Sequence, residues 1–176
     1  MFRTLALALL TLTFGVQSLL AAELVRGVRL KISASDLATG MAQVEDYRRT
    51  TGVDAEYLDA IGWLARGAQL LGRNDLARDY VAQLRKEIPK ETPELIVPYG
   101  AAIEVEGRMI AASEGRGAAI RYFEEELGKA QAPALRSRIR KNINLLSMEG
   151  QPAPALDVAD YLGARTPSLA SLRGKP

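Results

Sequence analysis

Four short stretches of this chain carry residues that could do chemistry or grip a charged ligand. Glu124-Glu125-Glu126 with Lys129 offers the acids of a metal site, but consecutive helical residues point in different directions, so three carboxylates in a row do not converge on one cation. A solvated face is the expectation there. Arg136, Arg138, Arg140 and Lys141 could hold an anion, yet their spacing spreads them around a helix, and an exposed face is again expected. Gly115-Arg116-Gly117 has the glycines of a phosphate loop without a preceding strand or the Gly-Lys-Ser/Thr ending, and reads as a turn between helices. Asp54, Glu56 and Asp59 fall in the first turns of a helix, where acids complement the macrodipole, and that role suffices for them. Trp63, Tyr57, Tyr80, Tyr99 and Tyr122 are scattered among helices as core or groove lining, with a peptide-binding concavity as the functional alternative.

The chain has neither cysteine nor histidine. That removes thiol chemistry, the commonest general base and the commonest metal ligand together. No catalytic, cofactor-binding or metal-ligating residue is assigned, and no cofactor is expected.

The elements that must position these side chains begin after a leader. Arg3 precedes an uncharged apolar stretch, Leu5 to Ala22, with small residues at its exit, the layout of a secretory signal peptide over residues 1–22. An uncleaved membrane anchor is the alternative, weakened by Gly15, Gln17 and Ser18, and Leu20 at the −3 position leaves the cleavage site open. An exported protein, periplasmic or extracellular, is expected, with no membrane partner after the leader is removed. Losing residues 1–22 takes away only Arg3, leaving 22 basic against 21 acidic residues. Such interspersed, balanced charge gives no reason to expect a nucleic-acid partner.

Residues 23–149 read as one helical domain. Residues 23–32 alternate loosely and have no partner strand, so they read as an extended arm. Ser33 or Ser35 caps the first helix, with Leu37, Met41, Val44 and Tyr47 on one face and Gly52 at its end. Asp54 opens a second helix to Leu71, whose Leu58, Ile61, Leu64, Ala65, Ala68 and Leu71 form an apolar stripe. Asn74 caps a third, which Pro89 stops. After a loop holding Pro93 and Pro98 come helices near 99–113, 118–127 and from just after Pro133 to Met148. Six helices and short turns predict an all-α domain of antiparallel helical hairpins.

Two hairpins share a register that is tetratricopeptide-like. Ile61, Leu64, Ala65, Ala68, Ala77, Val81 and Pro89 supply its large, small and helix-stop positions, and Ile103, Gly107, Ile110, Ala119 and Phe123 repeat the pattern. The small residues let paired helices approach closely. Glu106 departs from the pattern, standing where Leu64 stood, and the two registers lie 42 residues apart rather than about 34.

Residues 150–176 are different in kind. Pro152, Pro154, Pro167 and Pro176 argue against a helix and against a central strand, so an extended lead-in is expected. Gly150-Gln-Pro-Ala-Pro-Ala-Leu-Asp-Val, Leu162-Gly-Ala and Pro167-Ser-Leu-Ala-Ser-Leu-Arg-Gly-Lys-Pro176 together resemble the opening of TlpA/ResA-type thioredoxin-like proteins. The resemblance implies a G-x-x-A-P segment leading to a β-hairpin, then a turn into the first central strand of a thioredoxin-like α/β domain. It also implies a W-C-x-x-C motif just beyond, which would do thiol–disulfide chemistry on a disulfide-bearing protein. On this reading the chain is the partner-positioning helical part of such an exported oxidoreductase, cut before its cysteines. The alternative is a complete secreted helical module that binds a peptide or protein and catalyses nothing.

Overall fold

The computed structural model describes residues 23–148, 150–152, 162–163, 167–172 and 174. The leader expected over residues 1–22 and most of the redoxin-like tail lie outside the described residues. Among those described, the chain is all-α, with seven helices and no strand: α1 (23–33), α2 (Leu37–Thr50), α3 (Ala55–Leu70), α4 (Asn74–Glu87), α5 (Ile96–Ser113), α6 (Arg116–Lys129) and α7 (Pro133–Met148).

Residues 23–33 are the chief correction to the sequence reading. They form a helix rather than an extended arm, because Leu24 and Val28, four apart, are both buried in the core and Ile32 lies against Gly67 of α3. The weak alternation that suggested an arm is an apolar 3.6-residue stripe with Arg26, Arg29 and Lys31 around it. Glu56 of α3 anchors the helix start by accepting the Val25 N–H at 3.0 Å.

Several boundaries move for local reasons. Neither Ser33 nor Ser35 caps α2; Asp36 does, its Oδ1 accepting from Thr39 N at 3.1 Å. Asp54 caps α3 as expected, accepting from Tyr57 N at 2.8 Å, while its other oxygen accepts the Tyr47 hydroxyl at 2.8 Å and ties α2 to α3. Asn74 is not a cap but the first residue of α4, since Arg73 occupies the cap position without a side-chain bond. The turn before it is closed from the other side: Gly72, at φ +72°, donates to Gln69 O, and Arg73 N donates to Ala68 O at 2.8 Å. Pro98 is inside α5, not in a loop, since α5 begins at Ile96 and the first turn has no use for the missing N–H. A single 3-10 turn, Pro93–Leu95, leads into it. α6 is longer than expected and starts at Arg116, directly after Gly115 at φ +91°. In the tail, Leu169–Leu172 is one turn of 3-10 helix where an extended chain was expected; the Ser171 N–H donates to Ser168 O at 2.9 Å, and no proline follows until Pro176.

The helices stack in two layers. α1, α3, α5 and α7 lie side by side and parallel: Ile32 meets Gly67, Gly62 faces Ala101, and Gly100 faces Leu135 and Arg138. α2, α4 and α6 return antiparallel behind them, as Tyr57 near the start of α3 shows by accepting from Gln83 Nε2 near the end of α4 at 2.9 Å. Each back helix packs against its front-layer neighbours, whereas the backbones of α2, α4 and α6 stand apart, with the Arg85 side chain of α4 bridging to Tyr122 and Glu126 of α6. Close spacing in front and splaying behind bend the array toward the front layer, which is its hollow side.

Two joined cores hold the layers. The larger runs from Leu24 to Val105 across α1–α5, and the smaller gathers Ile103, Phe123, Ala130, Leu135 and Ile139 across α5–α7. Ala65, Ala77 and Ala119, the small positions of the repeat register, are each 0% exposed. Leu71, placed on the apolar stripe from sequence, is instead 40% exposed at the helix end. The departure at Glu106 also has a reason. Its carboxylate accepts from Arg85 Nη2 at 2.9 Å and from the Tyr122 hydroxyl at 2.8 Å, forming a polar node between the back helices and α5.

Candidate functional site

Helical periodicity brings one stripe of each front helix into a shared groove of about 620 Å³. α1 contributes Ile32, and Arg29 stands beside it. α3 contributes Trp63, Arg66 and Leu70, with Asp59 one turn earlier on the same face. From α5 come Val97, Glu104 and Arg108, and from α7 Ser137, Arg138, Lys141 and Asn142. The spacing that buries one face of α3 thus leaves the groove stripe beside it.

At the centre, two guanidiniums lie against the Trp63 ring. Arg29 Cζ is 4.6 Å and Arg66 Cζ 5.1 Å from the ring centroid. Arg66 Nε reaches Glu104 Oε2 at 3.0 Å and Arg108 Nη2 reaches Glu104 Oε1 at 2.8 Å, so one carboxylate is held between two arginines. Burial pulls the Arg66 pKa below its ordinary value, while Glu104 acts against that shift. Arg138 lays its side chain along Gly100 and donates from Nη1 to the Val97 carbonyl at 3.2 Å.

Asp59 is the strained member. Its Oδ1 is buried without a hydrogen-bond partner. Burial raises the carboxyl pKa above the usual 3.8, and the positive charges of Arg66, Arg138 and Arg29 only partly offset this. A raised folded-state pKa stabilises the protein fully below the unfolded value and loses that contribution as pH rises through the folded one. The stability advantage of the wild type over Asp59→Asn is therefore expected to shrink as pH rises through this window. Urea unfolding of both proteins from acid to neutral pH checks it, and parallel pH profiles would rule it out.

The sequence-based candidates divide. The basic run is spread as expected, and yet Arg138 and Lys141 meet in the groove, whereas Arg136 donates to Leu127 O at 2.9 Å and Ala130 O at 2.8 Å, closing the end of α6. Of the acidic triplet, Glu124 and Glu125 are exposed. Glu126 is not on a solvated face: its side chain is 8% exposed and paired with Arg85 and Lys129. Asp59 lies beside the groove, where Arg66, Arg138 and Arg29 act on its carboxyl, a setting beyond any macrodipole role. Of Gly115-Arg116-Gly117, expected as an inter-helix turn, only Gly115 lies in the turn, at φ +91°, while Arg116 and Gly117 open α6. Trp63 lines the groove, while Tyr57, Tyr80, Tyr99 and Tyr122 pack into the cores.

Sequence reasoning missed Arg66, Glu104 and Arg108. Their spacing was available, as Trp63, Arg66 and Leu70 share one helical face, but which face lies opposite Glu104 depends on how α3 meets α5. Among the described residues no cluster of three metal-ligating side chains exists, and no helix is long and apolar enough to cross a membrane. Compared with protein families, curated proteins and solved structures, the chain finds no match.

Proposed function

We propose that this chain is a binding module that holds a polypeptide partner in the front-layer groove, as the partner-positioning part of an exported thiol–disulfide oxidoreductase resembling the TlpA group. The observation that carries the binding half is the groove itself, a cleft spanning four parallel helices with a part-exposed tryptophan and two exposed apolar side chains, Leu70 and Val97. A cleft that sets apolar side chains beside placed charged groups can both hold and orient a ligand. The redox half rests on the tail resemblance between Gly150 and Pro176. Having no cysteine, the chain supplies position and not thiolate, which attacks a disulfide through a mixed disulfide intermediate.

Two measurements test the two halves separately. A photo-crosslinking residue placed at Val97, in the groove, is expected to give discrete adducts with exported proteins, and one at Asp79, exposed on α4, is expected to give none. Equal labelling from both positions would remove the groove as the binding site. For the redox half, reading the source gene past the Pro176 codon is expected to show a hydrophobic strand and then W-C-x-x-C. An immediate stop codon would leave a secreted interaction module without thiol chemistry.

A further inference from the structure

The groove's charge sets it apart from the rest of the molecule. Its lining carries Arg66, Arg108, Arg138 and Lys141 against Glu104, four cations to one anion, a net of +3, and Arg29 and Asp59 beside it add one charge of each sign. The whole chain nets only +2, so everything outside the groove sums to −1. A nearly neutral protein has gathered its positive excess in one hollow.

The cations also differ in how far they are already satisfied. Arg66 and Arg108 are both committed to Glu104. Among the described residues Arg29, Arg138 and Lys141 have no carboxylate within ion-pair distance; Arg29 and Lys141 come from α1 and α7, the outer helices of the groove, and Arg138 reaches back from α7 to the Val97 carbonyl of α5. Between them lie the Trp63 ring and the exposed side chains of Leu70, 66%, and Val97, 41%. Unpaired cations at both ends of an apolar floor complement a ligand with carboxylates and apolar side chains on one chain.

Resting on the reading of the groove as a polypeptide site, we propose that its occupant is an acidic peptide segment bound in extended form, with carboxylates at Arg29 and at Arg138 and Lys141 and apolar side chains on Trp63, Leu70 and Val97. Three steps between neighbouring helices of about 9 Å each, at about 3.3 Å per extended residue, accommodate roughly eight residues. A nucleic acid fits less well. It carries a phosphate at every nucleotide, and Glu104 in the groove and Asp59 beside it would face that uniform negative charge.

The test is a displayed library of random peptides about eight residues long, selected on the intact chain. Selected peptides are expected to be enriched in Asp and Glu alongside Leu, Phe or Trp, and to shift the emission of Trp63, which is the protein's sole tryptophan. Their affinity is expected to fall about tenfold in Arg29→Gln/Lys141→Gln and to weaken with added salt. Both replaced side chains are exposed, so the variant keeps its fold, which circular dichroism verifies. Peptides that shift Trp63 but show no acidic enrichment, and bind the double variant equally well, would overturn the acidic assignment and leave the groove reading standing. A library yielding nothing that perturbs Trp63 would sink both. Tighter binding of a single-stranded oligonucleotide than of any peptide would replace the proposal with a nucleic-acid site.

Discussion

Gly107→Ala is expected to destabilise the domain by about 2–3 kcal/mol, although intrinsic helix propensity alone favours alanine by about 1 kcal/mol. A Cβ at position 107 would stand 2.6 Å from Cε1 of Phe123 and closer still to its Cζ. Phe123 is 1% exposed and anchors the smaller core with Ile103, Leu135 and Ile139. Its ring has nowhere to retreat, so α5 and α6 must separate or the ring must leave its rotamer. Urea unfolding would show a lower midpoint at an unchanged slope. Shortening the opposing side chain supplies the control. Gly107→Ala/Phe123→Leu is expected to cost less than the sum of its two single changes, because each relieves the other's fault. A neutral or stabilising Gly107→Ala would mean that the ring has free room, and the close packing of this hairpin would have to be abandoned.

Arg85→Met is expected to cost about 3 kcal/mol at neutral pH, the size of an effect that leaves a buried charge without its partner. Arg85 reaches out from α4 to α5 and α6 at once. Nη2 lies 2.9 Å from Glu106 Oε2 and 2.7 Å from the Tyr122 hydroxyl, and Nη1 lies 3.4 Å from Glu126 Oε2. Its Cζ also sits 5.5 Å from the Tyr99 ring centroid. Burial opposes the charge on Arg85, but Tyr122, Glu106 and Glu126 outweigh it and raise the guanidinium pKa above its ordinary value. Burial first, and the two glutamates after it, also raise the Tyr122 pKa, with Arg85 acting the other way. Methionine keeps much of the side-chain length and removes the cation, leaving Glu126, among the described residues, only Lys129, at 2.9 Å, as a positive partner. Replacing both acids as well, in Arg85→Met/Glu106→Gln/Glu126→Gln, is expected to recover part of the loss. Denaturation of the single variant within about 0.5 kcal/mol of wild type would assign this node to the solvated surface, where ion pairs contribute little.

Glu106 and Glu126 show where local reading of this chain stops. Glu106 is a mismatch in a repeat register, and Glu126 is one of three consecutive acids; neither context hints at a shared arginine partner. Each acquires its role from Arg85, which is 21 residues from the one and 41 from the other. Arg138 and Lys141 make the same point for the groove. The sequence distributes the basic run around α7, and only the docking of α7 beside α5 selects the two that face Arg108 and Glu104.

Residues 23–33 mark a different limit. A short helix declares itself through its face, and here that face is just Leu24, Val28 and Ile32 among three basic residues. Isolated helices of that length are marginal in water, so the segment owes its form to the α3 surface that buries it. The longer helices needed no such help to be read, since several turns of apolar spacing, with Asp54, Gly52, Gly72 and Pro89 as punctuation, leave few alternatives.

From residue order alone follow the all-α class, most helix positions, the small residues at hairpin contacts and the absence of any thiol or imidazole. These are properties of neighbours in the chain, governed by periodicity, by φ and by composition. Which stripes face one another, which carboxylates become buried and where the positive excess collects follow only from the layered packing. Those outcomes join residues about 20 to 110 positions apart, and a pairing at that distance exists only once helices of set length and turn geometry have closed on a common core.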